Sequence, residues 1–166
     1  MSITELLLLE YDAEIKNTRI LLERVPFDKT GYKPHPKSMA LDKLATHVAE
    51  LPGFGDVILS TPGMDFSKGE RPRIPFESAQ LLKIFDELAA KTRASLAAVS
   101  GEGWRENWKL SFGGKPIFSG QRFLAYREMF LNHLVHHRAQ LGVYLRLNDK
   151  PLPAIYGPSA DDTMGF

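Results

Sequence analysis

Leu131-Asn132-His133-Leu134-Val135-His136-His137-Arg138-Ala139-Gln140 is a run of helix-forming residues that carries three of the chain's five histidines. Nothing in it breaks a helix. His133 and His137 are four residues apart, so in a helix they share one face, one turn apart. Following that face in both directions gives Phe123, Tyr126, Phe130, His133, His137, Gln140 and Tyr144, at spacings of three and four. A second stripe, Leu131, Leu134, Leu141 and Leu145, runs beside it. The two stripes predict a helix from near Ser119-Gly120 to about Asn148. It is either buried over a wide face, or buried on one side and used for dimer contact on the other.

The same periodicity recurs upstream. Ser2-Ile3-Thr4-Glu5 has the form of a capping box, with a hydroxyl first and a carboxylate three residues later. The helix it opens runs to about Arg24, with Leu6, Leu9, Ala13, Ile20 and Leu21 as its apolar face, and Pro26 ends it. Phe27 to Lys37 is a connection. Ser38 caps a second helix through about Leu51, where Ala40, Leu44, His47 and Leu51 form an inward seam. Pro52-Gly53 interrupts it, with Phe54 to Leu59 as a short or kinked continuation. Ser60 to Pro75, rich in proline and glycine, is a long crossover.

A third helix is expected from about Glu77 to Val99, with Leu81, Ile84, Phe85, Leu88, Thr92, Leu96 and Val99 as its stripe. Trp104 to Ile117 then loses helical periodicity. Trp108, Leu110 and Phe112 alternate before Gly113-Gly114, which suits a small hairpin. Pro151, Pro153 and Pro158 make the tail an extended strap. The expected fold is therefore all-α: a four-helix bundle with a long crossover between helices two and three and a small hairpin before helix four. The 166 residues fit one domain spanning 1–166.

Composition narrows the chemistry. With 21 basic and 20 acidic residues the chain has no basic excess to attract nucleic acid. It has no cysteine, which removes disulfides, thiolate metal sites and cysteine nucleophiles. Leu6 to Leu9 is flanked by Glu5 and Glu10 and is too short to span a bilayer, so no membrane partner is expected and the protein is read as cytoplasmic. Phosphate-binding glycine loops, a dinucleotide fingerprint and a nucleophile elbow are missing. The Glu-x-x-His pairs of di-iron bundles are missing too.

What remains is histidine. His133 and His137 can share a transition metal, and His47 sits on the inward seam of a separate helix. Three imidazoles from two helices leave coordination positions open, which is the pattern of catalytic sites. The alternative is a set of hydrogen-bonded core histidines. Glu50, three residues after His47, is a candidate ligand, general base or imidazole partner. Gln140, one turn past His137, is a candidate for orienting a ligand or a substrate. His136 is expected beside the ligands or at a subunit contact, and His35 on the surface. Arg138 is expected to pair with Glu10 or Glu14. Tyr126 and Tyr144 are expected as core aromatics.

His47, the run Asn132-His133-x-x-His136-His137-Arg138-Ala139-Gln140 and the ending Pro153-Ala154-Ile155-Tyr156-Gly157-Pro158 together resemble the DinB-like family. The resemblance implies a four-helix bundle with the long crossover in the same place. It implies a divalent metal, often nickel or zinc, held by three histidines that fall on His47, His133 and His137; imidazole ligands by themselves accept iron(II) as well. Many members are homodimers. Related enzymes include bacillithiol transferases and mycothiol-dependent isomerases, in which the metal activates a low-molecular-weight thiol. Ala139 departs from the glycine usual before the glutamine, a mild change because alanine is the better helix former.

Two functions follow as expectations. One is a metal-dependent enzyme, a thiol transferase or hydrolase acting on a small electrophile, its pocket mouth shaped by the hairpin and the crossover. The other is a non-catalytic, metal-stabilised bundle serving a structural or interaction role.

Overall fold

The computed structural model describes residues 1–68 and 75–165. The part of the expected crossover at 69–74 lies outside the described residues.

Helix α1 spans Ile3–Leu22. Its capping box forms as the sequence suggests: Glu5 N donates to Ser2 Oγ (3.2 Å) and Ser2 N to Glu5 Oε2 (2.6 Å). Its inward face differs from expectation. Leu7, Tyr11, Glu14, Thr18, Leu21 and Leu22 are buried, whereas Leu6 and Leu9 are 53% and 62% exposed. The run of four leucines left the phase of the helix undetermined. It is set by polar anchors: Tyr11 OH donates to Ala89 O (2.8 Å), and Glu14 and Thr18 both meet Arg138.

Helix α2, Leu41–Ser60, begins at the N-cap Ala40 and not at Ser38. It also runs through Pro52-Gly53, where the sequence suggested an interruption. The glycines there serve packing. A Cβ on Gly55 would stand 2.9 Å from the Phe130 ring, and one on Gly53 3.1 Å from Leu88. The stretch is thus a zone of close approach to neighbouring helices, and tertiary packing overrides the local breaker signal.

The fold is mostly helical but not all-α: it contains a three-stranded sheet. Strand β1, Gly63–Asp65, comes from the crossover and runs parallel to β2, Asn107–Phe112; β3, Lys115–Gln121, pairs antiparallel with β2. Three residues are too few to show strand periodicity, which is why β1 was invisible in the sequence. Gly113 and Gly114 have φ of 57° and 79°, the two positive values a tight two-residue hairpin turn requires. Trp108 and Leu110 point inward as their alternation suggests, but Phe112, at the sheet's tip, is 61% exposed. Asp65 ties the crossover to that tip by accepting from Gly113 N (3.0 Å) and Gly114 N (3.1 Å). Hydrogen bonds from Ser67, and then from these two glycines, hold its carboxyl well below the usual carboxylate range.

Helix α3 spans Ser78–Ala98 and buries Leu81, Phe85, Ala89, Thr92 and Leu96, close to the expected stripe. After the hairpin the chain turns directly into a continuous helix: α4, Arg122–Leu124; a π-helical segment, Ala125–Leu131; and α5, Asn132–Arg146. Ser119 and Gly120, expected to open this helix, belong to β3 instead. Arg122 secures the junction. Its guanidinium donates to the carbonyls of Ile58, Leu59 and Thr61 at the end of α2, and its Nε to Gly103 O. Ile58 and Leu59 lie in the last turn of α2, whose carbonyls a helix end leaves without intrahelical partners.

α2 packs on α3 and α5, and α1 on α3 and α5, which completes the bundle. Leu131, Leu134, Leu141 and Leu145 are each 1% exposed or less. The second stripe is therefore packed inside the chain and offers no dimer face. The tail is fastened by Arg24 to Pro151 O (2.9 Å) and by Arg146 to Asp161. No helix among the described residues is long and apolar enough to cross a membrane.

Candidate metal centre

α2 and α5 bring His47, His133 and His137 together. One nitrogen from each lies within 4.8 Å of the other two. Their rings stand 4.6–5.1 Å apart, centroid to centroid. The three are half-buried. Among the described residues no other group of three or more histidine, aspartate or glutamate side chains converges in this way.

The hydrogen bonds decide which nitrogens face the centre. His133 Nδ1 donates to Met129 O, one turn back on the same helix (3.1 Å). His137 Nδ1 donates to Gln140 Oε1, one turn on (2.8 Å). The Met129 carbonyl can only accept, which sets the His133 proton on Nδ1, and the Gln140 amide oxygen favours the same tautomer at His137, leaving Nε2 as a lone-pair donor. His133 Nε2 then lies 3.3 Å from His47 Nε2. Either His47 Nε2 carries the proton and donates to His133 Nε2, or a cation lies between the two nitrogens. Two nitrogens on a tetrahedral zinc, each bonded at about 2.05 Å, would be about 3.3 Å apart. The donor set thus fits a divalent ion.

Electrostatics act in the same direction. Burial, first, and the neighbouring rings of His133 and His136 push His137 below the ordinary histidine value, against an opposing pull from Gln140. The neutral form, the one that can coordinate, is favoured.

Other candidates are placed as follows. Glu50 is half-buried on α2, one turn from His47, and falls outside the set of converging ligand atoms. Gln140 is exposed, not buried, and its amide orients His137. His136 is exposed, its ring 4.9 Å from that of His137. His35 is on the surface. Tyr126 is fully buried, and Tyr144 OH donates to Met39 O (2.8 Å). Arg138 pairs with Glu14, while Glu10 pairs with Arg127 instead. Sequence reasoning did not find the Met129 carbonyl, since a backbone acceptor has no sequence signature. It also did not find Arg122, an arginine at a helix start with no visible partner nearby in sequence.

A helical bundle with a cluster of three histidines between two helices defines a class of proteins able to hold a metal ion. The chain belongs to the DinB family, whose sequence model matches residues 1–164. Among solved structures it is similar to a DinB-like protein from Bacillus subtilis, with a TM-score of 0.65 at 19% identity over 86% of this chain and 90% of that one. It is also similar to a DinB-like protein from Bacillus cereus, with a TM-score of 0.67 at 16% identity over 90% of this chain and 95% of that one. At these identities the likeness speaks to the fold. No curated protein gives a significant sequence match.

Proposed function

We propose that this protein is a metal-dependent enzyme, a thiol S-transferase acting on a small electrophile, with its ion held by His47, His133 and His137. The observation that carries the reading is the 3.3 Å approach of His47 Nε2 to His133 Nε2, with the Nδ1 atoms of His133 and His137 already committed to acceptors. When bound, a divalent ion such as zinc, nickel or iron(II) supplies Lewis acidity that makes a thiol, or a water, nucleophilic near neutral pH. Three protein ligands leave room for that group, as catalytic centres do.

In this reading Gln140 holds His137 in its coordinating tautomer. Glu50, one turn from His47, is the general base or the partner that orients the incoming nucleophile. The co-substrate is a low-molecular-weight thiol, by the likeness to bacillithiol and mycothiol enzymes; water in its place would make the protein a hydrolase.

The test is to load the purified protein with zinc or nickel and follow free thiol in mixtures of small thiols and electrophiles. Metal-dependent thiol consumption, lost in His137→Ala, is expected. Full turnover by His137→Ala overturns the mechanism. If chelation lowers the melting temperature but no thiol is ever consumed, a non-catalytic, metal-stabilised bundle is the better reading.

A further inference from the structure

His133 and His137 ride on α5, and His47 rides on α2. Their mutual distances therefore hold at only one rotation and one height of α5, because each residue of helix advances about 100° and 1.5 Å. Apolar faces alone set such variables loosely, since van der Waals contacts can be remade after a small rotation.

Two arginines on the same continuous helix bracket the histidines: Arg127 before His133 and Arg138 after His137. Both reach α1. Arg127 Nη1 lies 2.5 Å from Glu10 Oε2. Arg138 is 2% exposed and closes on several groups at once. Its Nη1 donates to Glu14 O (3.1 Å) and Thr18 Oγ1 (3.3 Å) and lies 2.5 Å from Glu14 Oε2. Its Nη2 donates to the hydroxyl of Tyr156, on the C-terminal strap. That hydroxyl is 2.8 and 2.7 Å from the two carboxylate oxygens of Glu14.

We propose that Glu14, Arg138 and Tyr156 are positioning residues for the histidine cluster: together they set the rotation and height of α5 against α1, and so the angle at which His133 and His137 meet His47. The inference rests on reading the cluster as a metal centre. A buried guanidinium cannot slide along its partners, because displacement leaves charge buried and unpaired. Arg138 directly follows His137 in the chain, so the constraint acts at a short lever arm. The strap takes part because the Tyr156 hydroxyl bridges the two charged partners.

The test uses cobalt(II), whose visible bands report ligand geometry, with zinc affinity measured by competition. Replacing both charged partners by apolar residues of similar size, E14L/R138M, removes the pin without stranding a charge. The apo-form of this variant is expected to melt cooperatively near the wild-type temperature. It is expected to bind cobalt at least about ten-fold more weakly, with altered bands. Arg138→Lys, which keeps the charge but not the fork, is expected to fall between the two. If the double variant does not fold, Tyr156→Phe decides, with an expected weakening of about two-fold or more and a shifted spectrum. A folded double variant, or failing that a Tyr156→Phe protein, with wild-type affinity and bands overturns the proposal and leaves the metal centre standing. A wild-type protein that shows no cobalt bands, identical to His137→Ala, removes the metal centre and this proposal together.

Discussion

His47 Nε2 and His133 Nε2 lie 3.3 Å apart across 86 positions of sequence. Their approach joins α2 to α5 at the candidate metal centre. It also makes the bundle's stability depend on what occupies the gap, since a ligand that binds only the folded state stabilises it.

The first consequence concerns metal content. Purified wild-type protein is expected to carry about one divalent ion per chain, given three imidazole ligands, and His137→Ala substantially less. Metal at about 100 times its dissociation constant would add about 2.7 kcal/mol. Elemental analysis and melting curves with and without chelator check both points; equal metal in the two proteins would contradict the assignment.

Gln140→Leu separates orientation from folding. The residue is exposed, so little stability is at stake. Losing the acceptor for His137 Nδ1 should weaken metal binding about 10-fold or more, as partners of metal-bound imidazoles do. Competition titration against a chromophoric chelator reads this directly.

Acid should weaken the apo-fold through His137. Burial, chiefly, holds its pKa below the ordinary value. Below about pH 6.5 the unfolded chain takes up a proton that the folded site resists. This contribution to stability is therefore complete above that pH and declines as pH falls toward the folded-state value. A bound ion widens the effect because it competes for the same lone pair. Melting temperatures followed through that interval, with His137→Gln as the comparison, test it; identical pH profiles in both proteins would count against it.

Two helical glycines should respond to alanine with opposite signs. At Gly55 the added Cβ meets the Phe130 ring at 2.9 Å, and overpacking should cost about 1–3 kcal/mol. At Gly142 it would find only Leu21, at 3.9 Å, and the gain in helix propensity should approach about 1 kcal/mol. Denaturant melts of the two variants give the comparison.

Arg122→Met should rank among the most damaging single changes away from the histidines. It strips donors from the carbonyls of Ile58, Leu59 and Thr61 at the end of α2. Several buried acceptors left unsatisfied should cost about 3 kcal/mol or more. A loss under about 1 kcal/mol, the worth of a single ordinary hydrogen bond, would show that water replaces the guanidinium there.

Much of the architecture could be read from spacing. The third helix, the hairpin turn at Gly113-Gly114 and the inward seam of His133 and His137 lie close to their expected places. Each is a local pattern in which side-chain period and backbone preference agree. The misreadings fall where local signals conflict with packing. Pro52-Gly53 looks like a break, but α2 continues because its glycines admit Phe130 and Leu88. Leu6 to Leu9 looks like a core face, but Tyr11, Glu14 and Thr18 choose the phase of α1.

Taken alone, the amino-acid order determined that this is a helical bundle with two histidines on one helical face and a third on another helix, because periodicity is a property of neighbours along the chain. The meeting of the three rings, the nitrogen that each α5 ring turns inward and the pairing of Arg138 with Glu14 and not Glu10 come from the packing of whole helices. Those outcomes depend on how far apart whole helices stand and how they are rotated. Both quantities arise from contacts between segments more than a hundred residues distant, such as α1 with α5, which no local pattern encodes.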